Sequence, residues 1–277
     1  MVEAYHPGLT IFVTEYNAYY TEPEELQVQA VNLLFLTDTL GQLIVQGFDA
    51  ANHWDIINGL TANGGDYGYL LVNDGYRRQP SYYAFPLWTR FGDRLLASEN
   101  SANATTRFSA YAGLDANDNL TLLAVNKTGE PIPATLVLDR YHPIGSGSAY
   151  VARADALDAY TVTFNGLANP PLDLDSVPPL PITGVTTTFV YTFPAYSVTA
   201  LMLEGSSCAT ADLDCDGDVD LDDIRFAANC WSARWGDDRY LAICDLDHDE
   251  DVDIVDVQLV AAHWESGRET PRQAPGI

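Results

Sequence analysis

The spacing of hydrophobic and polar positions changes twice along the chain. In the first stretch, the apolar and β-branched run 9–14 predicts a buried strand, and apolar residues at helical intervals predict a helix over 23–40 that stops at Gly41. The run 43–48 predicts a second strand, and a long loop leads from it to a second helix over roughly 80–91. This order of strand, helix, strand and helix is typical of a parallel α/β sheet.

Beyond about residue 105 the helical spacing gives way to short alternating runs that are separated by turn-forming residues. The stretches 115–118, 145–147 and 170–181 are rich in Asp, Asn, Gly, Ser or Pro and predict turns. Seven short strands at this spacing predict an antiparallel β-sandwich that ends near residue 204. The predicted strands are 108–112, 120–126, 134–138, 149–152, 160–164, 186–191 and 197–203.

Two acidic stretches of twelve residues, 212–223 and 245–256, repeat one another at an offset of 33 residues. Each continues into an apolar helical run, 224–231 or 257–264, which a merely solvated acidic surface does not explain. Carboxylates stand at positions 1, 3, 5, 7, 9 and 12 of both stretches, the ligand spacing of an EF-hand calcium loop. We therefore expect two Ca²⁺ sites. The predicted ligands are Asp212, Asp214, Asp216, Asp218 and Asp223 in the first loop, and Asp245, Asp247, Asp249, Asp251 and Asp256 in the second.

Position 6 of the loop distinguishes the two repeats. The sharp turn there favours a positive φ, which Gly217 adopts freely and which costs Glu250 about 1 kcal/mol. We therefore expect the second calcium site to be the weaker one.

Composition adds that the chain is folded and strongly acidic. With 47% hydrophobic and 11% aromatic residues, its 277 residues can form two or three domains with their own cores. The net charge of −26 repels nucleic acid and anionic membrane surfaces, and it attracts divalent cations. Half of this charge lies in 205–277, where 18 acidic residues face 5 arginines.

All four cysteines, Cys208, Cys215, Cys230 and Cys244, lie in the acidic part of the chain. An even number in a small module predicts two disulfides in an oxidising compartment, with three pairings possible. A zinc site is the alternative, although the spacing contains no CxxC pair. No apolar run reaches the ~20 residues that cross a bilayer, and residues 1–7 lack the features of a signal peptide. We therefore expect a secreted protein in which this sequence is the C-terminal part of a longer chain.

Residues 212–265 resemble a type I dockerin, the paired-loop calcium module that anchors secreted polysaccharide-degrading enzymes. Asp at position 12, here Asp223 and Asp256, fits that family. The resemblance implies a calcium-dependent module with a cohesin-like scaffold as its partner. Well-studied dockerins often carry small hydroxyl residues at positions 10 and 11, where they meet cohesin; this chain has Leu-Asp at 221–222 and Ile-Val at 254–255.

The α/β stretch resembles the last two strand–helix units of a clan A retaining glycoside hydrolase, most closely the α-L-arabinofuranosidase family. The resemblance rests on Thr-Glu-Tyr-Asn at 14–17, Asn-His-Trp at 52–54 and the aromatic segment 81–94. It implies the end of a partial (β/α)₈ barrel, followed by the antiparallel β-sandwich that accompanies such barrels. In these barrels, polar residues at the C-terminal ends of the strands carry the chemistry.

Carried over to this sequence, the resemblance makes Glu15 the nucleophile that attacks the anomeric carbon. A second carboxyl group about 5 Å away acts first as acid and then as base. Asn17 and Trp54 would contact the substrate, since the Trp54 ring offers an apolar face to a sugar. The acid/base glutamate of this clan lies in an Asn-Glu-Pro motif, which this chain lacks. We therefore expect the chain alone not to hydrolyse glycosides without the missing N-terminal barrel.

The predicted fold class is multidomain, with α/β, all-β and small α parts. Its predicted segments are the barrel end over 1–96, the β-sandwich over 97–204, the dockerin-like module with paired EF-hand-like loops over 205–267, and a disordered tail over 268–277. Two functions remain open. The first is the C-terminal part of a secreted glycoside hydrolase that acts on plant polysaccharide. The alternative is a non-catalytic calcium-binding or scaffolding protein, and the two differ in the role of Glu15.

Overall fold

The computed structural model describes residues 8–19 and 24–264. This part of the chain is rich in strands and has few helices, none of them long and apolar enough to cross a membrane. It divides into two compact units. The first unit comprises the chain up to residue 137 together with 143–205. The second unit comprises 138–142 together with the chain from 206 onward.

A parallel pair of strands opens the first unit. Its elements are β1 (Phe12–Tyr16), a 3-10 helix (Glu25–Val28), α1 (Ala30–Val45) and β2 (Ala50–His53). β1 and β2 pair in parallel, with Phe12 opposite Ala50 and Val13 opposite Ala51. The carboxyl ends of both strands therefore lie at the same edge of this small sheet. The helix start predicted at Pro23 lies outside the described residues.

The strand predicted over 43–48 and the helix end predicted at Gly41 are wrong. Instead, α1 continues through Gly41 to Val45, and the strand that follows is β2. Gly41 faces the ring of Tyr111, and a Cβ atom at this position would lie 2.2 Å from Tyr111 Cζ. Glycine serves close packing here, so it does not mark the end of the helix.

The remainder of the α/β part is short and irregular. Its elements are β3 (Leu70–Leu71), a 3-10 helix (Val72–Asp74), β4 (Arg77–Arg78), a 3-10 helix (Pro80–Tyr83) and α2 (Ala84–Trp88). β3 and β4 form an antiparallel pair. The helix predicted over 80–91 therefore begins as a 3-10 turn and ends at Trp88.

A sheet of seven strands forms most of the rest of the first unit. Its strands are β5 (Arg94–Leu96), β6 (Phe108–Leu114), β7 (Leu120–Asn126), β9 (Tyr141–Arg153), β10 (Thr163–Phe164), β11 (Leu180–Thr183) and β13 (Ser197–Ser207). The order is β10, β9, β13, β7, β6, β5, with β11 also on β9. A separate antiparallel pair consists of β8 (Ile132–Val137) and β12 (Thr188–Phe193). The rings of Phe108 and Phe193 connect the two sheets at 4.9 Å.

Three details of the predicted strands are wrong. The 145–147 stretch lies within the long strand β9, and β11 falls at the end of the Pro-rich 170–181. Only Thr163–Phe164 of the predicted strand 160–164 is extended in a sheet. Gly147 allows β9 to continue because a Cβ there would lie 2.7 Å from the Met202 carbonyl oxygen.

The helices of the first unit pack on its large sheet. Leu33 and Leu36 of α1 and Leu87 of α2 are fully buried in one cluster with Leu123 and Val125 of β7. A polar contact fixes the same interface, since Asp38 on α1 accepts hydrogen bonds from Ser109 and Tyr111 and pairs with Lys127 at 2.8 Å. The sheet therefore supports the helix that connects β1 to β2.

The second unit contains helices α3 (Leu221–Asn229) and α4 (Ile254–Ala262). Each begins three residues before its predicted start at 224 or 257 because an aspartate, Asp220 or Asp253, caps its N-terminus. Disulfides join Cys208 to Cys215 and Cys230 to Cys244, which confirms the disulfide prediction and makes the zinc alternative wrong. The predicted tail 268–277 lies outside the described residues.

Candidate active site and calcium loops

Glu15 and Trp54 lie at the carboxyl ends of adjacent parallel strands. Glu15 is exposed near the end of β1. The backbone N–H of Trp54 donates to the carbonyl oxygen of Tyr16 at 2.9 Å. Trp54 follows β2 directly and is 48% exposed. The Glu15 carboxylate makes no hydrogen bond or ion pair within 8–19 and 24–264. The pairing of the strands thus brings an unengaged carboxylate and an open indole face to one edge.

Asn17 holds the loop beside these two residues. Its side-chain amide donates to the carbonyl oxygens of Trp54 and Tyr67, the latter at 3.2 Å. Its Oδ1 accepts from the Ala18 N–H at 2.6 Å. The Trp54–Asp55 peptide bond is cis. Asn17 therefore positions Trp54 through the backbone, in addition to any contact with a ligand.

An aromatic cluster packs around His53, the last residue of β2. The His53 ring contacts Tyr16 at 5.4 Å, Tyr69 at 5.5 Å and Phe85 at 6.0 Å between centroids. Burial lowers the pKa of His53 to about 4, so the imidazole is neutral near pH 7. Burial also raises the pKa of Tyr16, with the nearby Tyr69 as a further cause.

Three polar atoms of this edge are buried without a partner in the described chain. They are Tyr16 Oη, His53 Nδ1 and Asp55 Oδ1. Burial raises the pKa of Asp55, and the carboxylate of Asp66 raises it further. Buried polar groups normally have a hydrogen-bond partner, so these atoms are available to a water molecule or a ligand hydroxyl. Residues 52–54 were used as a motif in the sequence analysis, but His53 was given no role. Its position next to Trp54 in the sequence could have indicated that it belongs to the site.

The two acidic loops have the same internal hydrogen bonds. In the first, the Asp212 carboxylate accepts from the N–H groups of Asp216 at 3.1 Å and Gly217 at 3.2 Å. In the second, the Asp245 carboxylate accepts from those of Asp249 at 3.1 Å and Glu250 at 3.0 Å. Position 1 of each loop therefore organises the backbone at positions 5 and 6.

Position 12 closes each loop in the same way. Asp223 accepts from the Leu213 N–H at 2.6 Å and the Asp220 N–H at 2.7 Å. Asp256 accepts from the Leu246 N–H at 2.7 Å and the Asp253 N–H at 2.8 Å. Because its two oxygens hold the start and the end of the loop, this carboxylate fixes the loop on its helix.

The carboxylates fit a divalent cation. Ligand atoms of Asp212, Asp214 and Asp216 lie within 4.8 Å of one another, as do those of Asp245, Asp247 and Asp249. Four carboxylates are at least 97% buried, and none has a basic partner in the described chain. Buried charges are costly unless they are paired or bind a metal. The buried members are Asp212, Asp223, Asp245 and Asp256.

The two loops agree in the electrostatics of position 3. Burial and neighbouring carboxylates, first Asp216 and Asp249 respectively, raise the pKa of both Asp214 and Asp247. Burial also raises the pKa of Asp245, but the hydrogen bond from Tyr240 and those from three backbone N–H groups outweigh it, so that this pKa is lowered. The Tyr240 hydroxyl donates to Asp245 Oδ2 at 2.6 Å. Tyr240 therefore stabilises the charged form of a predicted ligand, a contact that sequence reasoning missed.

The two loops have the same backbone at position 6. The φ angle is +102° at Gly217 and +72° at Glu250. The positive φ predicted for Glu250 is confirmed, so this side-chain-bearing residue lies in a region that favours glycine.

The sequence matches no family model and no curated protein. Solved structures are similar in fold. A bifunctional glucanase-xylanase protein from a metagenome library aligns at 22% identity with a TM-score of 0.51, over 74% of this chain and 33% of its own. A glycoside hydrolase family 30 subfamily 8 xylanase from Clostridium acetobutylicum aligns at 16% identity with a TM-score of 0.50.

A thermostable family 51 α-L-arabinofuranosidase from Thermotoga petrophila aligns at 17% identity with a TM-score of 0.56. The xylanase and the arabinofuranosidase are each matched over 73% of this chain and 44% of their own length. The chain therefore spans a third to less than half of the length of these structures. At these identities the likeness shows a glycoside hydrolase-like fold.

Proposed function

We propose that this chain is part of a glycoside hydrolase that acts on plant polysaccharide by a retaining mechanism, with Glu15 as the nucleophile. The observation that carries the proposal is the placement of Glu15 and Trp54 at the carboxyl ends of two adjacent parallel strands, β1 and β2. Catalytic side chains occupy this end of the strands in parallel α/β barrels. The glycoside hydrolase-like fold supports the same reading.

In this proposal each residue of this edge has a separate task. Glu15 attacks the anomeric carbon and forms a glycosyl ester while the leaving-group oxygen departs with the bonding electrons. The indole of Trp54 packs on the C–H face of the sugar, and Asn17 holds Trp54 in place through its carbonyl oxygen. The neutral His53 and the Tyr16 hydroxyl supply polar atoms without adding charge.

We further propose that the second carboxyl group comes from polypeptide that precedes the nucleophile strand in the intact enzyme. Two-stranded parallel sheets are uncommon, because parallel strands are normally buried on both faces. Here the apolar residues Leu9, Phe12 and Ile56 are 56%, 60% and 56% exposed beside the β1–β2 pair. Such a surface fits further strand–helix units of a barrel. The chain alone should then lack acid catalysis and fail to turn over ordinary glycosides.

Turnover assays test this proposal. The purified chain is incubated with aryl glucosides, aryl xylosides and aryl arabinofuranosides, and release of the phenol is followed. We expect no turnover by the chain alone, and turnover when the preceding polypeptide is supplied in the same chain, abolished by Glu15→Ala. Turnover by the chain alone that Glu15→Ala abolishes would overturn the missing-half proposal. Turnover in the longer chain that survives Glu15→Ala would overturn the nucleophile assignment.

The second unit is proposed to be a calcium-binding dockerin-like module. Residues at positions 1, 3, 5, 7 and 12 of each loop would hold one Ca²⁺, whose charge would offset the buried carboxylates. The matching hydrogen bonds of the two loops support two sites of one type. Two disulfides support an oxidising, extracellular location. We propose a cohesin-like scaffold as the partner of this module.

Calcium titration by calorimetry, with circular dichroism alongside, tests the module. We expect two binding events and a calcium-dependent gain in thermal stability. Asp223→Asn should remove one event and Asp256→Asn the other, because each removes charge from a single buried carboxylate. Absence of both binding and stabilisation in the wild-type chain would contradict the module assignment.

The alternative function is a non-catalytic calcium-binding or scaffolding protein. It is favoured by the contrast between two complete acidic loops and a single unengaged glutamate. The longer-chain assay separates the alternatives, since a scaffold would show no Glu15-dependent turnover in any context.

A further inference from the structure

A cleft of about 360 Å³ lies on the first unit, next to the aromatic cluster at the strand ends. Half-buried aromatic rings form one wall, and a segment with two exposed aspartates forms the other. Its volume lies within the ~300–1,000 Å³ of small-molecule sites. We call it the aromatic cleft, defined by Tyr69, Tyr82, Phe85, Arg90, Asp173 and Asp175.

Both walls of the aromatic cleft are held in place. Tyr69 and Phe85 pack against each other at 5.0 Å between ring centroids. Arg78 lies 5.5 Å over the Tyr82 ring and donates to the carbonyl oxygens of Pro170 and Pro171, the latter at 2.9 Å. The arginine therefore ties the aromatic wall to the start of the opposite segment.

Arg90 fixes the floor between the two walls. Its side chain is only 10% exposed, its guanidinium lies 4.1 Å from the centre of the Tyr150 ring, and it pairs with Asp175 at 2.5 Å. The Asp175 side chain itself is 86% exposed. A charged group this well buried and stacked is preorganised, so little entropy is lost when a ligand binds beside it.

We propose that the aromatic cleft binds a neutral oligosaccharide. Sugar rings present apolar C–H faces to aromatic side chains and hydroxyl groups to carboxylates and phenols. The cleft offers both surfaces on opposite walls. Acidic sugars are disfavoured because Arg90, the arginine that lines the cleft, is already paired with Asp175, which leaves Asp173 to repel an added carboxylate. The class is therefore a chain of uncharged sugar units.

Two residues of the aromatic cleft also belong to the aromatic cluster next to the candidate active site. Tyr69 and Phe85, which line the cleft, also contact the ring of His53 next to Trp54. The choice of an oligosaccharide as ligand rests on the proposed function, whereas binding in the cleft does not require Glu15 to react.

Calorimetric titration of the intact, calcium-loaded chain tests the inference. The probes are cellohexaose and xylohexaose as neutral chains and a glucuronic-acid-bearing xylo-oligosaccharide as the acidic one. We expect at least one neutral hexaose to bind, with affinity lowered at least ~10-fold by Tyr82→Ala, which removes an aromatic face. Asp175→Ala should also weaken binding of the neutral hexaose, and it serves as the second variant because the Asp175 side chain is 86% exposed.

Matched variants make each outcome decisive. Trp235→Ala removes an aromatic residue of the other unit that is 71% exposed, and it should leave binding unchanged. The titration measures binding without turnover, so a failed nucleophile assignment would not count against the cleft. The inference would be overturned if neither neutral hexaose binds. It would also be overturned if Tyr82→Ala and Asp175→Ala both bind the hexaose with the same affinity as the unchanged chain. Tighter binding of the acidic probe would overturn its neutral class.

Discussion

Replacing Glu250 by glycine should strengthen the second calcium loop. The φ angle at this residue is +72°, and left-handed backbone costs a residue with a side chain about 1–2 kcal/mol. The extra freedom of glycine in the unfolded chain returns about 0.4–1 kcal/mol of this. The net gain is about 0.5–1 kcal/mol, which corresponds to about a 2–5-fold change in the coupled folding and binding equilibrium.

The first loop provides the reverse experiment. Gly217 has a φ of +102°, and a Cβ added there meets no atom within 4 Å. Gly217→Ala should therefore lose about the same 0.5–1 kcal/mol through backbone strain alone, without a steric clash. Because Glu250→Gly also removes a charge, Glu250→Gln is the control that keeps the side chain and removes only the charge.

The assay is calcium titration by calorimetry, combined with thermal unfolding of the same variants at low and saturating calcium. Glu250→Gly should raise the stability or affinity of the second site relative to Glu250→Gln, while Gly217→Ala weakens the first. Equal behaviour of Glu250→Gly and Glu250→Gln would refute the argument from backbone strain. An unchanged first site in Gly217→Ala would refute it independently.

The remaining predictions concern Tyr240, His53 and Gly41. Tyr240→Phe should weaken the second calcium site and leave the first unchanged, because it removes the hydroxyl donor at Asp245; two-site calorimetry checks this. The stability of the first unit should fall by about 1–2 kcal/mol as pH drops from 6.5 towards 4, because the fold disfavours protonation of the half-buried His53 while the unfolded chain accepts it. Denaturant unfolding across this pH range should show the loss, and His53→Phe should reduce it. Gly41→Ala should lower the free energy of unfolding by about 1–3 kcal/mol by overpacking against Tyr111, as thermal melting measures.

Each of these has a control and a contradicting result. Tyr19→Phe removes a hydroxyl from a residue of the other unit and should leave both calcium sites unchanged, so a loss equal to that of Tyr240→Phe would contradict a specific role of the Tyr240 hydroxyl. An unchanged pH profile in His53→Phe would mean that other groups cause the acid loss. Phe35→Ala on α1 changes a side chain that is 42% exposed, and a larger loss there than in Gly41→Ala would contradict the packing argument.

Local spacing made the acidic loops predictable from the sequence. The positive φ at position 6 depends on residues within one short segment, whereas the starts of α3 and α4 were predicted three residues too late because capping by Asp220 and Asp253 was not foreseen. The helix end predicted at Gly41 is wrong because a glycine is required there by the close approach of the Tyr111 ring, and Tyr111 lies 70 residues later in the sequence. The apolar run after it continues the helix to Val45, although by composition alone it also suits a strand.

The candidate active site was predictable only in part for the same reason. Strand-end motifs indicated Glu15 and Trp54, and parallel pairing brings them together. The aromatic cleft joins residues near 69–90 to residues near 172–175, and the sequence offers no periodic signal for a contact across that distance. The Tyr240 contact was missed because Tyr240 itself lies outside the regular ligand spacing, five residues before Asp245.

The role of Glu15 as nucleophile is tested most directly by intact-mass measurement after incubation with dinitrophenyl glycosides. Dinitrophenolate leaves without being protonated, so attack by Glu15 on the anomeric carbon needs no acid catalyst, and the ester accumulates when no base activates water. With cellobioside, xylobioside and arabinofuranoside probes, we predict that at least one probe adds a single glycosyl group per chain. This adduct should map to Glu15 and be absent in Glu15→Gln. An adduct that persists in Glu15→Gln, or no adduct with any probe on the folded chain, would contradict the assignment.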